Sequence, residues 1–451
     1  MKTPLRTLPI VLLAIAAGCA VSPPRNSEPA VAAASGLMPA FDKAKAGMRP
    51  TSCRASNGYT ESALHARTFL WRPEWLMQIK ASVGSSAGSP AFRPTLDALI
   101  VEANAALAGG PFSVVDKTHT PPTGDKHDYY SIGPYYWPNP NTPDGLPYVS
   151  RDGEVNPERS SNAFDTEALE KMSRSVATLA LAYYLTNDKR YATHAAELLR
   201  VWFLDPATKM NPNLRFAQAV PGHTDGRAAG LIDTYRLVRV VEAIGLIGPA
   251  HVVSREQQAG LESWFGAFTD WMGSSEVGIG ERDAANNHGI YYDAQLMSFA
   301  LFARRDSVAR AVAEAFTNRR IGPQVAPDGS LPQELRRTRS FHYTNYALAG
   351  AFDVASFGEC FGLDLWNARA ENGRTLRSAV DYISQYAGRT NEWPYPELRL
   401  DTEPYYDLLM RASWAYSSET YAAAAARYAA QYRSSLSTYL RVAPTVDVPR
   451  R

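Results

Sequence analysis

Apolar residues recur along most of the chain at the three-and-four spacing of amphipathic helices. Met172, Val176, Leu179 and Tyr183 fall on one helical face, with polar residues between them. Tyr191, Ala195, Leu198, Leu199 and Trp202 repeat the pattern in the next segment. Asn187-Asp188 between the two predicts a short turn, and so an αα-hairpin. The texture starts near Ala91 and predicts further helices at Gly230–Ile247, Arg255–Met272, His288–Ala303, Ser307–Asn318, Asn345–Phe357, Arg374–Tyr386 and Tyr405–Tyr439. Convincing runs with the strand period are missing between them. A succession of such hairpins buries its apolar faces most economically by curving on itself. The expected fold is therefore all-α, an incomplete (α/α) toroid or barrel of helical hairpins.

Two stretches break the rhythm. Asp116 to Pro157 is rich in Pro, Gly, Asp, Asn and aromatics, and predicts a long loop that its aromatic content sets apart from disorder. Gly322 to Arg339 is a second loop, leading into a helix that begins near His342. At the N-terminus, Lys2 and Arg6 precede a short apolar stretch, Leu8 to Ala17, as in an export signal. Ala16-Ala17-Gly18-Cys19 has the form of a lipobox, so membrane attachment is expected only through a lipidated Cys19. Residues 1–19 are thus read as the signal, 20–45 as a flexible tether, and 46–451 as a single domain. The expected location is periplasmic, anchored at the outer membrane or secreted.

Composition narrows the partners a little. A net charge of +1 produces no global field that would call for nucleic acid. The 24 Tyr and 9 Trp suit sugar rings, and suit a core equally well. Cys53 and Cys360 remain after processing; they could pair in an oxidising periplasm, and two isolated, reduced thiols are the preferred reading. Neither C-x-x-C spacing nor a nearby His pair is present, so no metal or other cofactor is expected.

Three segments concentrate residues able to hold a carboxylate or carry a proton. Asn286-Asn287-His288-Gly289 opens an apolar helix, and a simple Asn-capped helix with a surface His accounts for it as well. Glu334 to Tyr343 packs Arg336, Arg337, Arg339, His342 and Tyr343 into one loop-to-helix junction. A solvated basic loop before a core Tyr is the competing account. The third segment carries Tyr129, Tyr130, Tyr135, Tyr136 and Trp137 on the Pro-stiffened loop, placed either to close over sugar rings or to plug the core.

Together these segments resemble the alginate lyase superfamily of helical-toroid polysaccharide lyases. The residues carrying the resemblance are KHDYYSIGPYYWPNPNTPDGLPYVSRDGEVNPE from Lys126, ANNHGIYYDAQ from Ala285 and DGSLPQELRRTRSFHYTNYAL from Asp328. The resemblance implies a metal-independent lyase that acts by β-elimination on an acidic polysaccharide, alginate (polymannuronate) or glucuronan, leaving 4,5-unsaturated ends. It assigns Asn287 and His288 to the uronate carboxylate, with His288 also a base. Arg337 would neutralise that carboxylate or steady the tyrosine, with Arg336 as its rival for the position. Tyr343 would be the catalytic acid, and a base as well if nearby arginines lower its pKa. Tyr129, Tyr130, Tyr135, Tyr136, Trp137, Arg336, Arg339 and His342 would line the substrate. Two alternatives stand beside it. An inverting glycoside hydrolase would need two opposed carboxylates, for which Asp225, Asp283, Asp293 and Glu334 are the candidates. A non-catalytic polysaccharide-binding lipoprotein would need only the aromatics.

Overall fold

The computed structural model describes residues 93–432 and, before them, 53–59, 67–72, 76, 79 and 80. The expected signal, Cys19 and the tether lie outside the described residues, as does the end of the last expected helix. Helices α1 (Arg93–Leu107), α2 (Thr166–Thr186) and α3 (Lys189–Leu199) pack side by side. Between α2 and α3 the chain reverses at Asn187, in the left-handed region at φ 60°, and the Asp188 side chain then caps α3 by accepting from the Arg190 N–H.

Helices α4 (Leu237–Ile247), α5 (Arg255–Ser274), α6 (Glu276–Arg282), α7 (Asn287–Phe302) and α8 (Asp306–Phe316) follow. The short α9 (Pro332–Leu335) leads to α10 (Ser340–Gly358), then α11 (Leu376–Ser384), α12 (Glu403–Ala415) and α13 (Glu419–Ala426). The architecture is the all-α toroid of packed hairpins, and one continuous apolar core runs through it. At its centre α7 packs against α10. Both are apolar on every side, as helices buried all round must be. In α7 only His288 escapes full burial, and in α10 only His342, Tyr346 and Ala349 do. Those last three, spaced four and three residues apart, form a single line along the helix.

The structure corrects four local expectations. The long loop carries strands β1 (Tyr130–Ile132), β2 (Tyr136–Trp137) and β3 (Val149–Ser150). Strand β1 pairs in parallel with β4 (Phe216–Ala219), and β2 with β3 as an antiparallel hairpin. Strands of two to four residues are too short to display an alternating pattern. The helix expected over Gly230–Ile247 begins as a 3₁₀ segment, Ala228–Arg236, pressed so close to β4 that a Cβ on Gly230 would sit 2.4 Å from the Ala217 carbonyl. The helix expected over Tyr405–Tyr439 breaks after Ala415, because Ser417 turns left-handed (φ 50°) and Ser418 caps a new helix. Finally, Cys53 and Cys360 are joined in a disulfide rather than free. Their separation of 307 residues hides the pairing from any local pattern.

Candidate active site

The site begins where α7 does. The Asn286 side chain accepts from the His288 N–H, so the expected cap is present. The cap is held from below by a buried ion pair: Arg320 grips Asp293 of α7 at 2.8 and 2.9 Å and donates to the carbonyls of Arg282 and Ala284. Gly289 makes this approach possible, since a Cβ there would lie 2.5 Å from Arg320 Nη1.

His288 Nδ1 lies 2.6 Å from Oε1 of Glu281, which is only 2% exposed. The carboxylate accepts a hydrogen bond from Nδ1–H and leaves Nε2 as the ring's free nitrogen. Asn287 is fully buried. Its backbone N–H and its Nδ2 donate to the two carboxylate oxygens of Glu334, at 2.7 and 2.8 Å, so it braces α9 against α7. Burial pushes the Glu334 carboxyl above its ordinary value, and the two Asn287 donors offset part of that push.

Three residues after Glu334, the Arg337 guanidinium lies over the ring of Tyr343, 3.7 Å from its centre. Its guanidinium is also paired with Asp152, from the long loop, at 2.6 and 3.2 Å. Burial works against the Arg337 charge, but Asp152 together with Tyr343 and Tyr135 outweighs it and holds the group well above its ordinary value. Arg336, the sequence rival, is exposed and reaches only toward Gln333, so the motif's inward arginine is Arg337. The Tyr343 hydroxyl meets that of Tyr135 at 2.5 Å, and Tyr135 is delivered by the β2–β3 hairpin, where its carbonyl accepts from the Arg151 N–H.

The expected lowering of the Tyr343 pKa by arginines is reversed. Burial raises it far above the ordinary tyrosine value, Tyr135 adds to the rise, and Arg337 recovers only part. Tyr343 is therefore a protonated donor at neutral pH. His342 stacks on Tyr346 and lies edge-on to Tyr343, its backbone N–H donated to Glu397. Burial and the nearby Arg339 depress its pKa to about 4, so this imidazole is neutral. Arg339 itself is 3.8 Å from Glu397.

The remaining aromatics separate. Tyr129 belongs to the core rather than to a lid: it is completely buried, and its hydroxyl donates to Asp233 within a network of Ser131, Gln218 and Arg227. Tyr130 lies half-buried, edge-on to Phe164. Tyr136 lies under Arg227, and Trp137 under Arg151 with its Nε1–H donated to the Glu154 carbonyl. The loop carrying them is pinned at its base by a buried pair, Lys117–Asp165, at 2.9 Å. Sequence reasoning missed Glu281 and Asp152. Glu281 lies outside the three motifs and Asp152 lies within the long-loop motif with no role attached to it, and each acquires meaning only from the segment it meets. Among the described residues, no group of three or more His, Cys, Asp or Glu side chains is arranged to hold a metal ion.

Comparison with known proteins gives a consistent answer. The fold superposes on the crystal structure of an alginate lyase from Bacteroides ovatus with a TM-score of 0.78 and 36% identity, covering 84% of this chain and all of that one. The chain is 31% identical over 134 residues to the alginate lyase of Pseudomonas syringae pv. tomato, 29% of this chain and 34% of that protein. It is 36% identical over 126 residues to that of Pseudomonas fluorescens, 27% of this chain and 32% of that protein. The chain thus spans about a third of the length of these curated relatives. Residues 113–393, well over half of the chain, match the sequence model of the alginate lyase family, and to that family the chain belongs.

Proposed function

We propose that this protein is a polysaccharide lyase that cleaves a polyuronate by β-elimination, acting on mannuronate-rich alginate or on glucuronan. The observation that carries the reading is Glu334, which is bonded to Asn287 and feels the charge of both His288 and Arg337, and so links two oriented proton carriers, His288 on its buried Glu281 and Tyr343 between Arg337 and Tyr135. Asn287 and Glu334 tie their two segments together. The family relatives are alginate lyases by name, which supports the same substrate class here.

Elimination removes the proton on C5 and expels the oxygen on C4. That proton becomes acidic only when charge developing on the neighbouring carboxylate is stabilised. Arg337 and the N-terminal end of α7 supply positive potential beside His288. Tyr343, protonated, gives its proton to the departing C4 oxygen. In mannuronate and glucuronate the C5 proton and the C4 oxygen lie on the same side of the ring. There the C5 proton passes to the Tyr135 oxygen as the Tyr135 hydroxyl proton moves across the shared hydrogen bond to Tyr343, which gives its own proton to the C4 oxygen. In guluronate the C5 proton faces the other way, and His288 Nε2 is the base for that geometry. Half-buried Tyr130, Tyr136 and Trp137 form the wall over which sugar rings pass.

Three of the four carboxylates that the hydrolase alternative would draw on are held by other groups. Asp293 is locked to Arg320, Glu334 to Asn287, and Asp283 to Arg282 and Arg319. Export fits the Cys53–Cys360 bond, which an oxidising compartment would preserve. The test is ultraviolet absorbance over time with polymannuronate, polyguluronate, glucuronan and hyaluronan offered separately. A rise on polymannuronate or glucuronan is expected, and no rise on any polymer would sink the proposal.

A further inference from the structure

Asp152 stands on the long loop, 185 residues before its partner, yet its carboxylate takes both prongs of the Arg337 guanidinium. It also accepts from the Thr338 backbone N–H at 3.2 Å, and its carbonyl accepts from Thr338 Oγ1 at 2.9 Å. The next residue, Gly153, has φ of 83°, and a Cβ there would lie 2.5 Å from Thr338 Oγ1. Only a glycine lets the loop approach this closely. The same loop delivers Tyr135 to Tyr343.

With elimination by Tyr343 as the reaction proposed above, we propose that Asp152 is the positioning residue that holds Arg337 over the Tyr343 ring. Docking of the hairpin and assembly of the proton donor are then one event. A guanidinium paired on both prongs keeps little freedom to swing toward a substrate carboxylate, so its main service is to the tyrosine. Two features turn on the Asp152 carboxylate: the plane in which Arg337 lies, and the seating of the loop that carries Tyr135.

Two readouts on the full chain test this. With Asp152→Asn, kcat on the preferred polymer is expected to fall about tenfold or more, while KM moves by less than about threefold. In hydrogen–deuterium exchange without substrate, segments 134–152 and 337–343 are expected to exchange faster in the variant, with α4 unchanged. If Asp152→Asn fails to fold, Arg337→Lys asks the same question, since lysine keeps the charge but cannot make the two-pronged bond. The same loss of kcat and the same faster exchange are expected from it. A fall in KM with kcat unchanged would show Asp152 merely competing with the substrate carboxylate for Arg337, and would overturn the assignment. Unchanged kinetics and exchange would overturn it as well. If the wild type forms no unsaturated product on any polyuronate, the lyase reading fails, while the exchange difference still decides whether Asp152 holds Arg337.

Discussion

His288 and Tyr343 are set in place by different means. His288 is the one residue of α7 that is not fully buried, and a carboxylate behind it fixes which nitrogen faces out. Tyr343 is almost wholly buried and touches its surroundings through a hydroxyl and a stacked cation. Replacing Tyr343 with Phe removes a proton and almost no surface. Turnover is expected to fall about a hundredfold or more, with polymer affinity nearly unchanged, as steady-state kinetics and a binding titration would show. Glu281→Gln frees the imidazole to take the wrong tautomer, so kcat is expected to drop severely while folding, followed by circular dichroism, persists. His342 supplies a pH signature. Held neutral with a pKa of about 4 against 6.5 for a free imidazole, it stabilises the fold fully above about pH 6.5 and loses that contribution as pH falls toward 4. Melting temperature should decline over that window, and less steeply in His342→Gln. Residue type was readable where chemistry crowds into one segment, as at Asn287-His288 and Arg337 to Tyr343. Glu281 and Asp152 were not, because a lone acid becomes a partner only when another segment folds against it.

At the scale of elements, α7 and α10 owe their precision to buried charge. Asp293 and Arg320 are 1% and 3% exposed, and together they fasten α7 to the segment before it. Arg320→Ala would leave the Asp293 carboxylate buried and alone, at a cost of about 3–5 kcal/mol. Chemical denaturation should register that loss, and activity should fall more than stability alone explains, since His288 loses its footing. Helices were legible because faces repeat. Met172, Val176, Leu179 and the first hairpin appear where periodicity placed them. The strands β1 to β4 were not legible, being too brief to alternate. Nor was the break at Ser417, where no Gly or Pro marks the left-handed turn.

At the scale of the molecule, helical hairpins pack around α7 and α10, and the long loop meets α10 and the turn before it through Tyr135 and Asp152. A disulfide between Cys53 and Cys360 ties an N-terminal segment to the end of α10. Replacing both cysteines with Ser should cost about 2–4 kcal/mol, mainly by freeing the unfolded chain, and the melting curve of the double variant checks it. The curvature of the toroid followed from a count of amphipathic hairpins, whereas the disulfide joins positions that no sequence window spans. The central claim is that bond cleavage here eliminates rather than adds water. The most direct measurement is the mass of the oligosaccharides released from polymannuronate or glucuronan. Elimination gives a new non-reducing end lighter by one water and carrying a conjugated double bond, and that is the expected product. Saturated ends carrying the added water would contradict the account and return the active site to the hydrolases.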